Sequence, residues 1–322
     1  MKNINVAILG LGTVGGGTYK ILNENADIIT ERTNRIIKVT KIFDRHFKRK
    51  ISTYSLDPSM EAKSPDEIFD DESIDIVIEA IGGVEVATDL IIKAMKSGKS
   101  VVTPNKAAVA ANLDLFKKTA DENHVALMYE ASVAGGIPIL TTIKNALAGN
   151  EFIEIMGIVN GTTNYILTKM HEEGLPYGEV LKDAQEKGFA EADPTADVEG
   201  IDAANKLTIL MYLAFGKYIK PDKIPTVGIS KITMSEINEA KSEGSKIKLI
   251  AHAKIENGEL TYGVSPVKIA NSHPLAGVSN EFNAVYITGN AVDELMFYGK
   301  GAGALPTGSA IVGDVISIAR HL

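Results

Sequence analysis

The chain has 322 residues, which at ~150 residues per domain predicts two domains, and its 45% hydrophobic and 23% charged residues are ordinary for a protein with a sizeable core. The net charge of −8 argues against a nucleic-acid or membrane-surface binder, because both need a basic face. The sequence has no cysteine, which excludes disulfides and cysteine-ligated zinc, and its six histidines are scattered, which argues against a zinc-dependent enzyme.

Strands and helices alternate through the first 130 residues. The predicted strands cover residues 4–10, 36–43, 74–80, 100–103 and 125–129, and the predicted helices cover residues 12–24, 88–97 and 112–123. This alternation is typical of an α/β fold with a doubly wound parallel sheet of the Rossmann type.

The pattern changes near Gly135 to Pro138, and the rest of the chain reads as an α+β domain. Helices are predicted at 141–147, 163–173, 203–215 and 307–320, and strands at 152–160, 247–255, 260–267, 285–288 and 294–298. No apolar run approaches the ~18 residues of a membrane span, and the first residues do not fit a signal peptide, so we expect a cytoplasmic protein.

A complete G-x-G-x-x-G motif joins the first predicted strand to the first predicted helix. It consists of Gly10, Gly12 and Gly15, with Thr13 and Val14 between the last two. Glycines here let the backbone turn tightly and approach a pyrophosphate at the helix N-terminus. In this context the motif predicts NAD or NADP binding.

The end of the second predicted strand bears on the choice between NAD and NADP. Asp44 lies 29 residues after Gly15, beyond the usual ~20-residue offset of an acid that binds the ribose. Arg45, Lys48 and Arg49 follow, and Arg45 is our candidate for the 2′-phosphate of NADP. A solvated basic turn explains these residues equally well.

The densest group of charged residues runs from Gly188 to Lys206. Asp202 and Lys206 stand four residues apart at the start of an apolar helix and therefore share a face. Spacing alone favours an acidic loop with an ordinary surface ion pair over a catalytic site. No arginine occurs between residues 50 and 319, so a substrate carboxylate there must be met by lysine, backbone N–H groups or hydroxyls.

The complete string resembles the motif of homoserine dehydrogenases. It comprises Gly188-Phe189-Ala190, Asp193-Pro194, Asp197-Val198, Gly200, Asp202 and Lys206. Three further segments resemble the same family in order along the chain: Thr103-Pro104-Asn105-Lys106, Glu130 to Pro138, and Asn160-Gly-Thr-Thr-Asn164. Phe189 and Ala192 depart from it, where tyrosine and proline are common. The length is similar to the short form, without a regulatory domain, so inhibition by threonine through a dedicated module is not expected.

The resemblance implies that L-homoserine and L-aspartate 4-semialdehyde are interconverted with NAD or NADP. An α-ammonium group needs carboxylates, which Glu191, Asp202 and Asp197 supply. No histidine lies near the motif, so Lys206 is the predicted base and Lys106 a second catalytic lysine. The resemblance also assigns cofactor contacts to Thr103, Lys106, Gly188 and Gly303.

The resemblance further implies a monovalent cation, usually sodium, in the hinge segment. Its ligands would be Glu130 and the carbonyls of Val133, Gly135 and Ile137, on an extended segment; a plain glycine-rich hinge is the alternative.

The expected domains are a dinucleotide-binding domain at 1–137, with the helix of 304–322 packed back on it, and a substrate-binding and dimerisation domain at 138–303. We expect a homodimer through the second domain's sheet, because an open sheet edge needs covering. The alternatives are another NAD(P)-dependent dehydrogenase of a small amino or hydroxy acid, and a redox-sensing module without catalysis.

Overall fold

The computed structural model describes all 322 residues, and they form two compact units. The first contains residues 1–136 and 302–322, and the second contains residues 137–301. The expected boundaries at 137 and 303 lie within two residues of these limits.

The first unit is built on a parallel sheet of five strands, as predicted, in the order β2-β1-β3-β4-β5. The strands are β1 (Lys2–Leu9), β2 (Arg35–Phe43), β3 (Ile76–Glu79), β4 (Ser100–Val102) and β5 (Leu127–Met128). Every residue of β3 and β4 is buried, because helices cover both faces of such a sheet. The chain leaves β1 toward β2 on one side and returns to β3 on the other, so the strand order reverses between β1 and β3.

Six helices precede the second unit. They are α1 (Thr13–Glu24), α2 (Ala26–Thr33), α3 (Phe47–Tyr54), α4 (Asp66–Phe69), α5 (Glu85–Lys96) and α6 (Lys106–Glu122). The sequence analysis did not predict α2 to α4, which are only eight, eight and four residues long and therefore offer two turns or fewer of apolar pattern. Helix α6 begins at Lys106 rather than at residue 112, because the side chain of Asn105 caps it.

The second unit is built on an antiparallel sheet in the order β10-β9-β6-β7-β8. Its strands are β6 (Phe152–Ile158), β7 (Ser245–Glu256), β8 (Glu259–Ala270), β9 (Phe282–Gly289) and β10 (Asp293–Lys300). Its helices are α7 (Ile139–Thr141), α8 (Gly161–Glu173), α9 (Tyr177–Glu186), α10 (Thr195–Val198), α11 (Ile201–Phe215) and α12 (Met234–Ser242). The helices α8, α11 and α12 pack against β7, and this α+β arrangement matches the prediction.

The last helix, α13 (Ala304–Ala319), belongs to the first unit and packs against α1. Glycines make the close approach possible. A Cβ atom at Gly17 would lie 2.1 Å from the carbonyl oxygen of Ala304, and one at Gly308 would lie 2.9 Å from the backbone of Gly17. None of the helices combines the length and apolar character needed to cross a bilayer.

Candidate active site

The glycine-rich loop lies between β1 and α1, and its three glycines do different things. Gly10 has a φ of +93°, and a Cβ atom there would lie 2.6 Å from the carbonyl oxygen of Ala80. A Cβ atom at Gly15 would lie 2.0 Å from the carbonyl oxygen of Gly10, whereas one at Gly12 would meet nothing within 4 Å. Gly10 and Gly15 are therefore required by the turn and its packing, and Gly12 faces space that a pyrophosphate can enter.

The first turn of α1 supplies the donors for such a group. No side chain caps this helix, and Thr13 and Val14 are its first two residues. The N–H groups of an uncapped first turn have no partner inside the helix and point toward the space beside Gly12. This end of the first unit fits a dinucleotide phosphate.

Asp44, at the end of β2, is already engaged by the chain. Its Oδ2 accepts hydrogen bonds from the N–H of Leu11 at 2.7 Å and from Nζ of Lys50 at 2.8 Å, and its Oδ1 accepts the N–H of His46 at 2.7 Å. Burial opposes ionisation, but the bonds from Lys50 and the two N–H groups hold the pKa of Asp44 below its usual value. Asp44 therefore fastens the glycine loop to β2, while the neighbouring Arg45 is exposed and makes no ion pair.

The segment after β4 carries the other predicted residues of the first unit. Thr103 is fully buried, and its hydroxyl donates to Glu79 at 2.7 Å. Lys106 is the first residue of α6, and Gly303, with a φ of +124°, directly precedes α13. Each lies in the same unit as the glycine loop.

In the second unit, three predicted residues meet at the start of α11. Nζ of Lys206 donates to Oδ2 of Asp202 at 2.6 Å and to the carbonyl oxygen of Val159 at 2.6 Å. The side chains of Lys206 and Asp202 are only 10% and 6% exposed, so the interpretation as a surface ion pair is wrong. The pair is buried because α11 turns this face toward the end of β6, which spacing along the helix does not reveal.

Asn160 connects this pair to Asp197, the third of the predicted residues, and was itself not among the predicted site residues. Its Nδ2 donates to Oδ1 of Asp197 at 2.7 Å and to Oδ2 of Asp202 at 2.9 Å. Its Oδ1 accepts the N–H of Thr163 at 2.9 Å and so caps α8. The available signal was an asparagine at the end of the predicted strand 152–160 and directly before Gly161, a position typical of a helix cap.

Thr162 is the second residue that sequence reasoning missed. Its hydroxyl lies 2.6 Å from the carbonyl oxygen of Phe189 and 3.2 Å from Oδ2 of Asp197. It thus links the start of α8 to the acid-rich segment. The ring of Phe189 packs on Tyr165 with centroids 4.8 Å apart, so the departure from the family's tyrosine keeps an aromatic contact.

Asn164, the last residue of the same motif, has a structural role. Its Nδ2 donates to the carbonyl oxygens of Val278, Asn280 and Phe282, and its Oδ1 accepts Nζ of Lys248 at 3.0 Å. Burial lowers the pKa of Lys248 to about 8. Within this motif the side chain of Asn160 therefore binds the acids, and that of Asn164 binds the loop before β9.

Glu191 and Gly188 lie outside this buried group. The Glu191 side chain is exposed and makes no hydrogen bond within the chain, although its carbonyl oxygen accepts Nε2 of Gln185 at 3.1 Å. Gly188 follows the end of α9 with a φ of +76°. The structure thus brings Asp197, Asp202 and Lys206 together and leaves the carboxylate of Glu191 facing solvent.

The hinge segment is not extended as expected. Glu130 is buried in a short 3-10 turn, and Ala134 and Gly135 both have left-handed φ values, of +55° and +53°. The backbone therefore turns between Val133 and Gly136, because two consecutive left-handed residues reverse its direction. The N–H of Glu130 donates to Oδ2 of Asp314 in α13 at 2.8 Å. No cluster of three or more histidine or carboxylate side chains forms a metal site in the chain.

Two family models match the chain, each over a different part of it. The family model of homoserine dehydrogenase matches residues 138–316, and that of the homoserine dehydrogenase NAD binding domain matches residues 10–130. The chain belongs to the homoserine dehydrogenase family. It is an NAD(P)-dependent oxidoreductase, which confirms the predicted family and enzyme class and excludes the redox-sensing module without catalysis.

Individual relatives agree over the full chain. The homoserine dehydrogenase of Bacillus subtilis (strain 168) is 42% identical over 322 residues, which are 100% of this chain and 74% of that protein. The crystal structure of a homoserine dehydrogenase from Thiobacillus denitrificans has a TM-score of 0.96 at 41% identity, over 99% of this chain and 74% of that one. A hyperthermophilic archaeal homoserine dehydrogenase in complex with NADPH has a TM-score of 0.83 at 28% identity, over 100% of this chain and 99% of that one.

Proposed function

We propose that this chain interconverts L-homoserine and L-aspartate 4-semialdehyde with NAD or NADP, a step of threonine and methionine biosynthesis, and that Lys206 is its general base. The observation that carries the proposal is the buried group of Asn160, Asp202 and Lys206, bonded to the half-buried Asp197, in a chain of the homoserine dehydrogenase family. Buried charges that are held by specific partners are typical of catalytic sites.

The cofactor supplies a nicotinamide ring that accepts or donates a hydride. In this chain Gly10, Gly12 and Gly15 would hold its pyrophosphate at the start of α1. Thr103 and Lys106 follow β4 of the same sheet and would lie toward the nicotinamide. Gly188 and Gly303 complete the proposed cofactor contacts.

We infer a preference for NADP from the charges after β2. The carboxylate of Asp44 is occupied by Lys50 and backbone N–H groups, so it is poorly placed to accept the ribose 2′-hydroxyl. Arg45, Lys48 and Arg49 are exposed, and none of them makes an ion pair. A 2′-phosphate would satisfy Arg45 with charge-assisted hydrogen bonds.

The substrate's charged ends need opposite partners. Glu191 and Asp197 would receive the α-ammonium group together with Asp202, since Glu191 has no partner in the chain. The N–H groups of Gly161 and Thr162, at the start of the 13-residue helix α8, make no hydrogen bond within the chain. They offer the α-carboxylate the donors that a region without arginine cannot supply.

Lys206 is proposed to take the proton from the substrate hydroxyl, while the carbon that bears this hydroxyl would give its hydride to the cofactor. Asp202 and the carbonyl oxygen of Val159 fix the position of its Nζ. The amine must be neutral to accept a proton, and its Nζ is buried 2.6 Å from Oδ2 of Asp202. Lys106 is proposed as a second lysine for the reacting oxygen.

The proposed cation would be held by Glu130 and the carbonyl oxygens of Val133, Gly135 and Ile137. One carboxylate with carbonyl oxygens is a donor set that suits a hard cation such as sodium. The carbonyl of Ile137 already accepts the N–H of Ile139 at 2.8 Å and has one lone pair left.

A homodimer is part of the proposal. Strands β8 and β10 are the edges of the second sheet, and several large apolar side chains on its strands are exposed. Among them are Met296 and Tyr298, which are 40% and 52% exposed. Covering such side chains with a second copy removes them from water. Sedimentation analysis of the purified protein tests this part.

One assay tests the reaction itself. The purified chain should reduce NADP with L-homoserine and oxidise NADPH with L-aspartate 4-semialdehyde. Small 2-hydroxy acids and other amino acids, tested in parallel, represent the alternative dehydrogenase. Activity with one of them and none with homoserine would replace the proposed substrate.

A further inference from the structure

Glu79 is a buried carboxylate at the carboxyl end of β3 to which the proposed reaction gives no role. It is 0% exposed, and no lysine or arginine pairs with it. Its Oε1 accepts the N–H groups of Ile81 at 2.8 Å and Gly82 at 3.1 Å, and its Oε2 accepts the hydroxyl of Thr103 at 2.7 Å. A carboxylate without a counter-ion is costly to bury, so these three bonds must hold it.

These bonds belong to a closed ring that joins the ends of β3 and β4. The hydroxyl oxygen of Thr103 accepts the N–H of Asn105 at 3.1 Å, and Nδ2 of Asn105 donates to the carbonyl oxygen of Gly83 at 2.6 Å. Gly82 and Gly83 have φ values of +86° and +76°, which glycine adopts most readily. Because a carboxylate only accepts, the hydroxyl of Thr103 must donate to Glu79, which leaves a lone pair for Asn105.

The ring lies where the second half of a dinucleotide is expected. The strand order reverses between β1 and β3, and ligands bind outside the carboxyl ends of the strands at such a point. The glycine loop follows β1, and Arg45 follows β2 on one side of it. The ring follows β3 and β4 on the other side, so the nicotinamide end of the cofactor extends toward it.

We propose that Glu79 is a positioning residue for hydride transfer. It fixes the Gly82–Gly83 turn and the segment from Thr103 to Lys106 relative to each other, and these two backbones form the wall against which the nicotinamide rests. The inference deepens the proposed function and rests on it. If Glu79 had only a structural role, its substitution would lower the stability of the protein without changing the chemical step.

The test is the variant Glu79→Gln. Its amide oxygen still accepts from Ile81 and Gly82, but its NH2 group faces the hydroxyl of Thr103, whose proton then has no acceptor. Without this bond the segment from Thr103 to Lys106 shifts relative to the Gly82–Gly83 turn. The resulting misplacement of the reacting groups should lower kcat by about 10- to 100-fold. The primary isotope effect, measured with L-homoserine deuterated at its hydroxyl-bearing carbon, should rise, because hydride transfer becomes the slow step.

Asp75→Asn is the matched control. Asp75 precedes the other end of β3, and its Oδ2 likewise accepts a backbone N–H, that of Asn5, at 2.8 Å. This variant should keep the wild-type kcat and isotope effect even if its Tm falls. Asn105→Ser is a second variant of the ring that leaves the buried carboxylate in place. Serine still caps α6 but cannot reach Gly83, so this variant too should raise the isotope effect.

The outcomes separate the two proposals. A wild-type protein without homoserine-dependent NADP reduction contradicts the proposed function. If the wild type is active, and the kcat and isotope effect of Glu79→Gln lie within about twofold of the wild-type values, only the role of Glu79 is overturned. The role of Glu79 is also overturned if Glu79→Gln lowers Tm and kcat but leaves the isotope effect unchanged.

Discussion

Replacing Lys206 by alanine should slow the chemical step far more than it weakens cofactor binding. The Nζ atom lies 2.6 Å from Oδ2 of Asp202, and the residue is only 8% exposed. A positioned general base contributes ~100- to 10,000-fold, so kcat should fall by about that factor. NADPH binding should stay close to wild type, because the glycine loop that is proposed to hold the cofactor lies in the first unit.

The same substitution should also destabilise the protein. It removes the lysine partner of the buried carboxylate of Asp202, and breaking a buried ion pair in this way costs about 3–5 kcal/mol. The corresponding fall in Tm is on the order of 10 °C. The double variant Lys206→Ala/Asp202→Asn also removes the buried charge whose lysine partner is gone, so it should recover part of the Tm but none of the kcat.

Steady-state kinetics at saturating homoserine measure kcat, a fluorescence titration measures NADPH binding, and calorimetry measures Tm. A Lys206→Ala enzyme that turns over within a few-fold of wild type would refute the role of Lys206 as base. Recovery of kcat together with Tm in the double variant would show that the loss was structural.

Three further changes test other parts of the molecule. Arg45→Ala should lower the affinity for NADP by roughly 10-fold, because a hydrogen bond to a charged group is lost, and should lower the affinity for NAD much less. An equal loss of affinity for both cofactors would contradict the 2′-phosphate contact. Asn160→Ser keeps the cap of α8 but cannot reach both aspartates, so kcat/KM for homoserine should fall by roughly 10- to 100-fold, and Tm should fall as well because the buried carboxylate of Asp202 loses a donor. Burial, helped by Lys241, lowers the pKa of His171 to about 4, so below pH 6.5 the unfolded chain binds a proton that the folded chain does not. Urea unfolding should therefore show roughly 3 kcal/mol less stability at pH 4 than at pH 7 from this residue, and His171→Phe should lack that part of the loss.

The sequence by itself determined the features that depend on neighbouring residues. Alternating apolar strands and helices predicted the parallel sheet, and the glycine motif predicted the turn between β1 and α1. The four-residue spacing of Asp202 and Lys206 placed them on one face of α11. These predictions succeeded because periodicity and turn chemistry act over a few residues.

Only the tertiary structure decided which of these residues meet, and how deeply they are buried. Asn160 reaches Asp202 across 42 residues of sequence, and Glu79 reaches Thr103 across 24. The same spacing of Asp202 and Lys206 fits a solvated surface as well as a buried site, and only the packing of α11 beside the end of β6 distinguishes the two. Bonds between distant residues are set by which faces the elements turn to one another, and no local pattern in the sequence contains that information.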